Sequence, residues 1–132
     1  MGGRMSDWNN IPKDISKYQG FVYIITDKVT GKFYIGKKFF WSKKTRPPLK
    51  GRKNKRHYTV ESDWKSYYGS SNNLLVDIEK YGKKRFQRDI ISYCETKFDC
   101  SYRELQFQME YRVLFRTESY NEIINVRLRK RK

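Results

Sequence analysis

Cysteine and histidine are almost missing from this chain: Cys94, Cys100 and His57 are the whole supply in 132 residues. Two cysteines cannot build a disulfide framework, and one histidine leaves the paired ligands of a tetrahedral zinc site unassembled. Both cysteines are expected as buried free thiols. Any metal would then sit on oxygen ligands, which favours Mg2+ or Mn2+. Long apolar runs are missing too. No stretch approaches the ~20 residues that span a bilayer, and the opening "MGGRMSDWNN" lacks the apolar core of a signal peptide. These absences predict a soluble, cytoplasmic protein with no membrane partner. Acidic residues are scarce, 14 against 30 Lys plus Arg, for a net charge of +16. A polyanion is the first partner to consider.

What is present is aromatic. Tyr, Phe and Trp make up 17% of the chain, far from the composition of a disordered basic tail, so one modest folded domain is expected. Residues 1–20 read as a polar arm, 21–125 as the domain and 126–132 as a basic tail. Residues 21–26, "FVYIIT", and 32–36, "KFYIG", predict two strands joined by a turn at Thr30-Gly31. Between Lys37 and Arg56, ten of twenty residues are Lys or Arg, interleaved with Phe39, Phe40 and Trp41 and broken by Pro47-Pro48 and Gly51. This stretch fits no helical or strand period and reads as a basic insertion, 37–61, whose mutual repulsion a phosphate backbone would relieve.

Further on, "SDWKSY" predicts a short helix capped by Ser62, and Asn72 or Asn73 caps a helix with Leu74, Leu75, Ile78 and Tyr81 on one face, stopped by Gly82. Residues 86–93 predict a third strand. Residues 101–115 predict a helix capped by Ser101, apolar on two sides and therefore enclosed. No internal repeat is visible. The expected fold is α/β, a small three-stranded antiparallel sheet flanked by helices.

Period two puts Tyr23 with Phe21 and Ile25 on one strand, and Tyr34 with Lys32 and Gly36 on the next. Each tyrosine has a plain role in packing. The second also has a possible role in chemistry, because its strand opens onto the basic stretch. "Val22-Tyr23-Ile24", followed after nine residues by "Tyr34-Ile35-Gly36", resembles the signature of the GIY-YIG endonucleases, with valine replacing the first glycine. The later "YYGSSNNLLVDIEKYGKKRF", a glutamate-bearing helix and "Ser119-Tyr120-Asn121" follow in the family's order, and within it the chain looks most like the small phage-borne, Seg-like nucleases related to homing endonucleases.

The resemblance implies metal-dependent hydrolysis of a phosphodiester in double-stranded DNA, with Mg2+ or Mn2+ and a monomer or transient dimer on the substrate. It implies Tyr23 as proton acceptor or relay, Tyr34 as the group positioning water and phosphate, Asn121 as support, and a glutamate for the metal. Glu104 is favoured for that glutamate, with Gln108 one turn away, and Glu110 is the alternative. The family's Arg-x-x-x-His has no match here. Arg56 and His57, or Tyr67 at the histidine position, are the replacements considered, with Arg46, Arg52, Arg56 or Lys65 as the phosphate-stabilising cation. Lys37, Lys38, Lys43, Lys44, Arg46, Arg52, Lys53, Lys55, Arg56 and Lys65 are expected on DNA. The alternative function is a non-catalytic nucleic-acid-binding module of the same fold.

Overall fold

The computed structural model describes residues 7–130. Residues 1–6 of the expected arm and 131–132 of the expected tail lie outside the described residues. Strand β2 (Gly20–Asp27) runs antiparallel to β3 (Phe33–Phe39) on one side and to β6 (Phe86–Cys94) on the other. The turn between β2 and β3 is built by Asp27, whose Oδ1 accepts from the amides of Val29 (2.9 Å) and Thr30 (3.3 Å), while Gly31 takes the left-handed φ of +80° that the reversal needs.

The sheet is mixed and four-stranded, in the order β1 (Trp8–Asn9), β6, β2, β3, which corrects the expected three-stranded antiparallel sheet. The extra strand, β1, comes from the polar arm and pairs parallel with β6. Asn9 Nδ2 donates to Asp89 Oδ1 at 2.8 Å and Asn10 Nδ2 to Ile90 O at 3.2 Å, and Trp8 anchors the strand to the core. The Trp8 ring packs edge-on against Phe21 and Tyr23 at 5.0 and 5.4 Å, and its Nε1 donates to Trp64 O at 2.7 Å, which draws the backbone alongside the sheet.

The basic stretch is also ordered, against expectation. β4 (Trp41–Arg46) and β5 (Arg56–Glu61) form a separate antiparallel hairpin, paired residue for residue from Trp41–Glu61 to Arg46–Arg56. Most of its side chains face solvent on both faces, so the alternation that betrays a half-buried strand is absent.

Helix α1 (Asn72–Tyr81) is capped by Ser71, one residue earlier than expected, and Gly82 ends it. It buries Leu74 and Ile78, whereas Leu75 and Tyr81 are exposed. Helix α2 (Lys97–Glu110) begins earlier than expected because Thr96 Oγ1 accepts from Asp99 N at 3.0 Å. It ends earlier because Arg112 takes φ +52° and Val113 N donates back to Gln108 O at 3.1 Å, a closure that returns Val113 to the core. Met109, Leu114 and Phe115 are exposed, so the helix is not enclosed on two sides. The expected helix at 62–67 is one 3-10 turn, Trp64–Ser66.

Two cores result, one on each face of the sheet. Phe21, Tyr23, Ile25, Trp64, Leu74 and Ile90 fill one, against α1; Val22, Ile35, Cys94, Cys100 and Val113 fill the other, against α2. β3 is the exposed edge between them, and both faces reach the site around it.

Candidate active site

Tyr23 and Tyr34 project from the same face, because Tyr23 lies opposite Gly36 and Tyr34 opposite Ile25. Their rings sit 6.2 Å apart. Two local features make room for Tyr23. On the β6 side the register slips between Val22 and Tyr23, leaving Ile91 as a bulge, a device that re-aims a strand beside a site. On the β3 side a Cβ on Gly36 would lie 2.6 Å from the Tyr23 hydroxyl oxygen, so only glycine leaves space for it. The final glycine of the second motif is therefore a steric requirement of the first motif's tyrosine.

Tyr34 stands at the mouth. Its hydroxyl is 3.2 Å from Ser70 Oγ, and the backbone beneath it is clamped. Asn121 Oδ1 accepts from Ile35 N, and Asn121 Nδ2 donates to Ile35 O, both at 2.9 Å; Gln108 Nε2 donates to the same carbonyl at 3.1 Å. An edge strand has unpaired amides and carbonyls, and these side chains satisfy them where a further strand would.

Around the β3 edge lie two adjoining cavities of about 610 and 540 Å³, which share Tyr34, Lys37, Ser70 and Glu104. Tyr23, Tyr67, Lys38 and Lys97 also line the first. Gln108 and Asn121 line the second. Lys37 Nζ meets Glu104 Oε1 at 3.2 Å from one face; Lys38 Nζ meets Asp63 Oδ1 at 2.6 Å from the other and sits 4.1 Å above the Tyr67 ring. The Tyr67 ring lies edge-on to Tyr23 at 6.1 Å.

Burial raises Tyr23 well above the ordinary tyrosine value, and the neighbouring Tyr34, Tyr67 and Glu104 push the same way. Tyr34 is raised as well, mainly by burial and then by Tyr67 and Glu104, with the Ser70 bond opposing. Both therefore keep their protons at neutral pH and present hydroxyl groups, not phenolates.

Of the residues singled out from the sequence, the fold brings Tyr23, Tyr34, Tyr67, Glu104, Lys37, Lys38, Lys43 and Lys44 to the first cavity, and Asn121 to the second. It does not bring Arg56 and His57 there. They begin β5, at the far end of the hairpin. Arg46, Arg52, Lys53, Lys55 and Lys65 line neither of these cavities, and Lys65 pairs with Glu61 at 3.6 Å. Glu110 ends α2 on the exposed surface, 3.5 Å from Gln106. The cations lining the tyrosines' cavity are Lys37, Lys38, Lys43 and Lys44, with Lys97 from the first turn of α2, a residue that sequence reasoning missed.

Arg88 was missed too. Its NH1 donates to the carbonyls of Lys65 (3.1 Å) and Tyr67 (2.8 Å), and its guanidinium lies 4.6 and 4.0 Å from the ring centroids of Trp8 and Tyr68. It thus fixes the backbone that carries Tyr67. The available signal was an arginine at period two with Phe86 and Ile90, on the buried face of a strand.

Few oxygen donors here could take a divalent cation. Among the described residues there is no group of three or more His, Cys, Asp and Glu that would hold a metal. Glu104 is a single carboxylate, and one turn along the same helix Gln108 Oε1 is buried without a hydrogen-bond partner among the described residues. One carboxylate, with the unpartnered Gln108 oxygen a helical turn away, fits a hard cation that takes most of its ligands from water and substrate phosphate.

Residues 5–124 match the family model described as "Putative endonuclease segE, GIY-YIG domain". No curated protein and no solved structure is significantly similar to the chain. Among the described residues no helix is long and apolar enough to cross a membrane.

Proposed function

The chain belongs to the segE-type GIY-YIG endonuclease family, and on that premise we propose that it hydrolyses phosphodiester bonds of double-stranded DNA with Mg2+ or Mn2+, as a nuclease of the phage-borne, homing-related kind. One observation carries the chemical reading: Tyr23, Tyr34, Lys37 and Glu104, from two strands and a helix, line one cavity at the β3 edge.

The reaction needs an oriented water, neutralisation of charge on the pentavalent phosphate, and stabilisation of the leaving oxygen. Tyr34, at the mouth and tied to Ser70, orients the attacking water. Tyr23, buried and protonated, stands behind it as a hydrogen-bond donor and relay; its raised pKa makes it a poor resting base. Lys37, Lys38 and Lys97 supply the positive charge that the family's arginine would bring. Lys37, now paired with Glu104, is placed to turn to the phosphate; Glu104 and Gln108 are the residues that would hold the cation. Bound there, a divalent cation would polarise a phosphate oxygen and offset its developing charge. Asn121 holds the Tyr34 backbone in place and touches no reacting atom.

Supercoiled plasmid incubated with the protein and Mg2+, beside Tyr34→Phe and Glu104→Ala, tests the reading. Nicked or linear product is expected from the parent protein, little from either variant, and none in EDTA, where binding persists. Cutting that survived both substitutions would sink the mechanism. Binding without cutting under all conditions would make the chain a non-catalytic module.

A further inference from the structure

The β4–β5 hairpin has an arrangement that the chemistry at the tyrosines does not use. Its register puts Ser42–Val60, Lys44–Tyr58 and Arg46–Arg56 on one face, and Trp41–Glu61, Lys43–Thr59 and Thr45–His57 on the other. Arg46 and Arg56 are thus direct cross-strand neighbours. Like charges so placed destabilise a sheet, and neither arginine pairs with an acid among the described residues. Each is nonetheless held. The Arg46 guanidinium lies 4.3 Å from the Tyr58 ring centroid, and Arg56 Nε donates to Pro47 O at 3.3 Å, which leaves its two terminal nitrogens as an open fork.

The root of the hairpin is fastened to the core. Ser62 N donates to Phe40 O at 2.8 Å, Ser62 Oγ to Phe39 O at 2.6 Å, and Trp41 Nε1 to Tyr18 O at 2.9 Å. β4 follows β3 after the single residue Phe40, so the two arginines hold a fixed relation to Tyr34.

We propose that this hairpin enters the major groove of DNA as a two-stranded ribbon and that Arg46 and Arg56 read guanine there. The proposal rests on the reading of the chain as a DNA-cleaving protein and adds target preference to it. Two strands lie about 4.8 Å apart; with side chains they fill a groove about 12 Å wide, and the minor groove of about 6 Å excludes them. An arginine fork matches guanine O6 and N7, a pairing that lysine, as a point charge, does not reproduce. Backbone phosphates fall to the lysines of the connecting loop, Lys50, Lys53 and Lys55. Reach sets a limit. Arg46 lies twelve positions after Tyr34, at most about 40 Å at ~3.3 Å per residue. The bases read therefore lie within about twelve base pairs of the cut, at ~3.4 Å per step.

The test uses the full chain and a pool of duplexes with a randomised central stretch, selected for binding in EDTA and, separately, mapped for cleavage in Mg2+. The parent protein is expected to enrich G·C at one or two positions within about twelve base pairs of the cut, roughly tenfold over A·T. Arg46→Gln or Arg56→Gln removes that preference and leaves the melting temperature in place, since both side chains are exposed. Lys50→Ala with Lys53→Ala and Lys55→Ala weakens binding to every duplex alike and lowers the salt slope by about 2–3, with the preference intact. No enrichment by the parent protein, or arginine variants that weaken all duplexes evenly, would overturn groove reading in favour of a phosphate clamp. Enrichment without cutting in Mg2+ would keep this proposal and defeat the nuclease reading; cutting without enrichment would do the reverse.

Discussion

Two neighbouring stretches of this chain are both strongly basic and handle their charge in opposite ways. At the end of β3, Lys37 and Lys38 each have a carboxylate, Glu104 and Asp63, at 3.2 and 2.6 Å. In the β4–β5 hairpin and its loop, residues 41–61, eight Lys and Arg face a single acid, Glu61, which accepts from Trp64 Nε1 at 2.8 Å and pairs with Lys65. The first region is compensated from within and organised by burial. The second is exposed and uncompensated, and its repulsion falls when counter-charge arrives from outside. A site that must hold reacting atoms in register needs internal partners, whereas a surface that must grip a polyanion gains from lacking them.

That contrast breaks most sharply at Glu104. Glu104→Ala is expected to reduce cleavage by about 10²–10³-fold, while binding in EDTA holds or rises because a negative charge has gone. Single-turnover cleavage beside filter binding checks both.

The converse experiment removes charge from the hairpin alone. Replacing Lys43, Lys44, Arg46, Arg52 and Arg56 with glutamine should lower the slope of log affinity against log salt by about 3, the share of Lys43, Lys44 and Arg52 as phosphate contacts, and weaken binding at least about 10²-fold near physiological salt. Thermal stability should be unchanged or slightly higher, because like charges have been removed. An unchanged salt slope would mean that the hairpin is not the main DNA contact.

Gly36→Ala sharpens the comparison within the organised region. The added methyl meets the Tyr23 hydroxyl oxygen at 2.6 Å and Cζ at 2.8 Å, for an expected loss of about 1–3 kcal/mol measured by urea denaturation. Adding Tyr23→Phe should restore part of that stability and none of the activity. Full additivity of the two changes would place the strain elsewhere.

The smallest effect is set by pH. Arg85 holds the Asp27 carboxylate through bonds of 2.7 and 2.9 Å, and the Val29 and Thr30 amides assist. The group lies well below the ordinary carboxylate range in the folded protein. Its stabilisation is therefore complete above the unfolded value of about 3.9 and is lost as pH falls below it. Asp27→Asn should cost about 1–2 kcal/mol at pH 7, since the partly exposed Arg85 can rehydrate. The difference in melting temperature from the parent protein should shrink steadily below pH 4.

Local pattern made much of this legible. Alternation and a Thr-Gly turn exposed the β2–β3 hairpin and gave each tyrosine its face on its own strand, because a strand's side-chain period depends on nothing beyond the strand. That the two faces coincide follows from the pairing of Tyr23 with Gly36 and of Ile25 with Tyr34. The i, i+4 spacing of Glu104 and Gln108 likewise put two oxygen donors side by side on α2. The β4–β5 hairpin escaped notice because neither face is buried, and β1 because its docking depends on partners 80 residues away in sequence, Asp89 for Asn9 and Arg88 for Trp8.

By itself the sequence determined that this chain folds and is strongly basic, since both properties are local or additive, and the order of its motifs marked its resemblance to the family. Which cations stand beside the tyrosines was decided by tertiary structure alone. Lys37 and Lys38 point to opposite faces of β3, and only the exposed edge of that strand lets both reach one cavity with Glu104 and Lys97. Charge reveals its sign in a sequence, but its partner depends on distances that close only when the sheet and α2 pack.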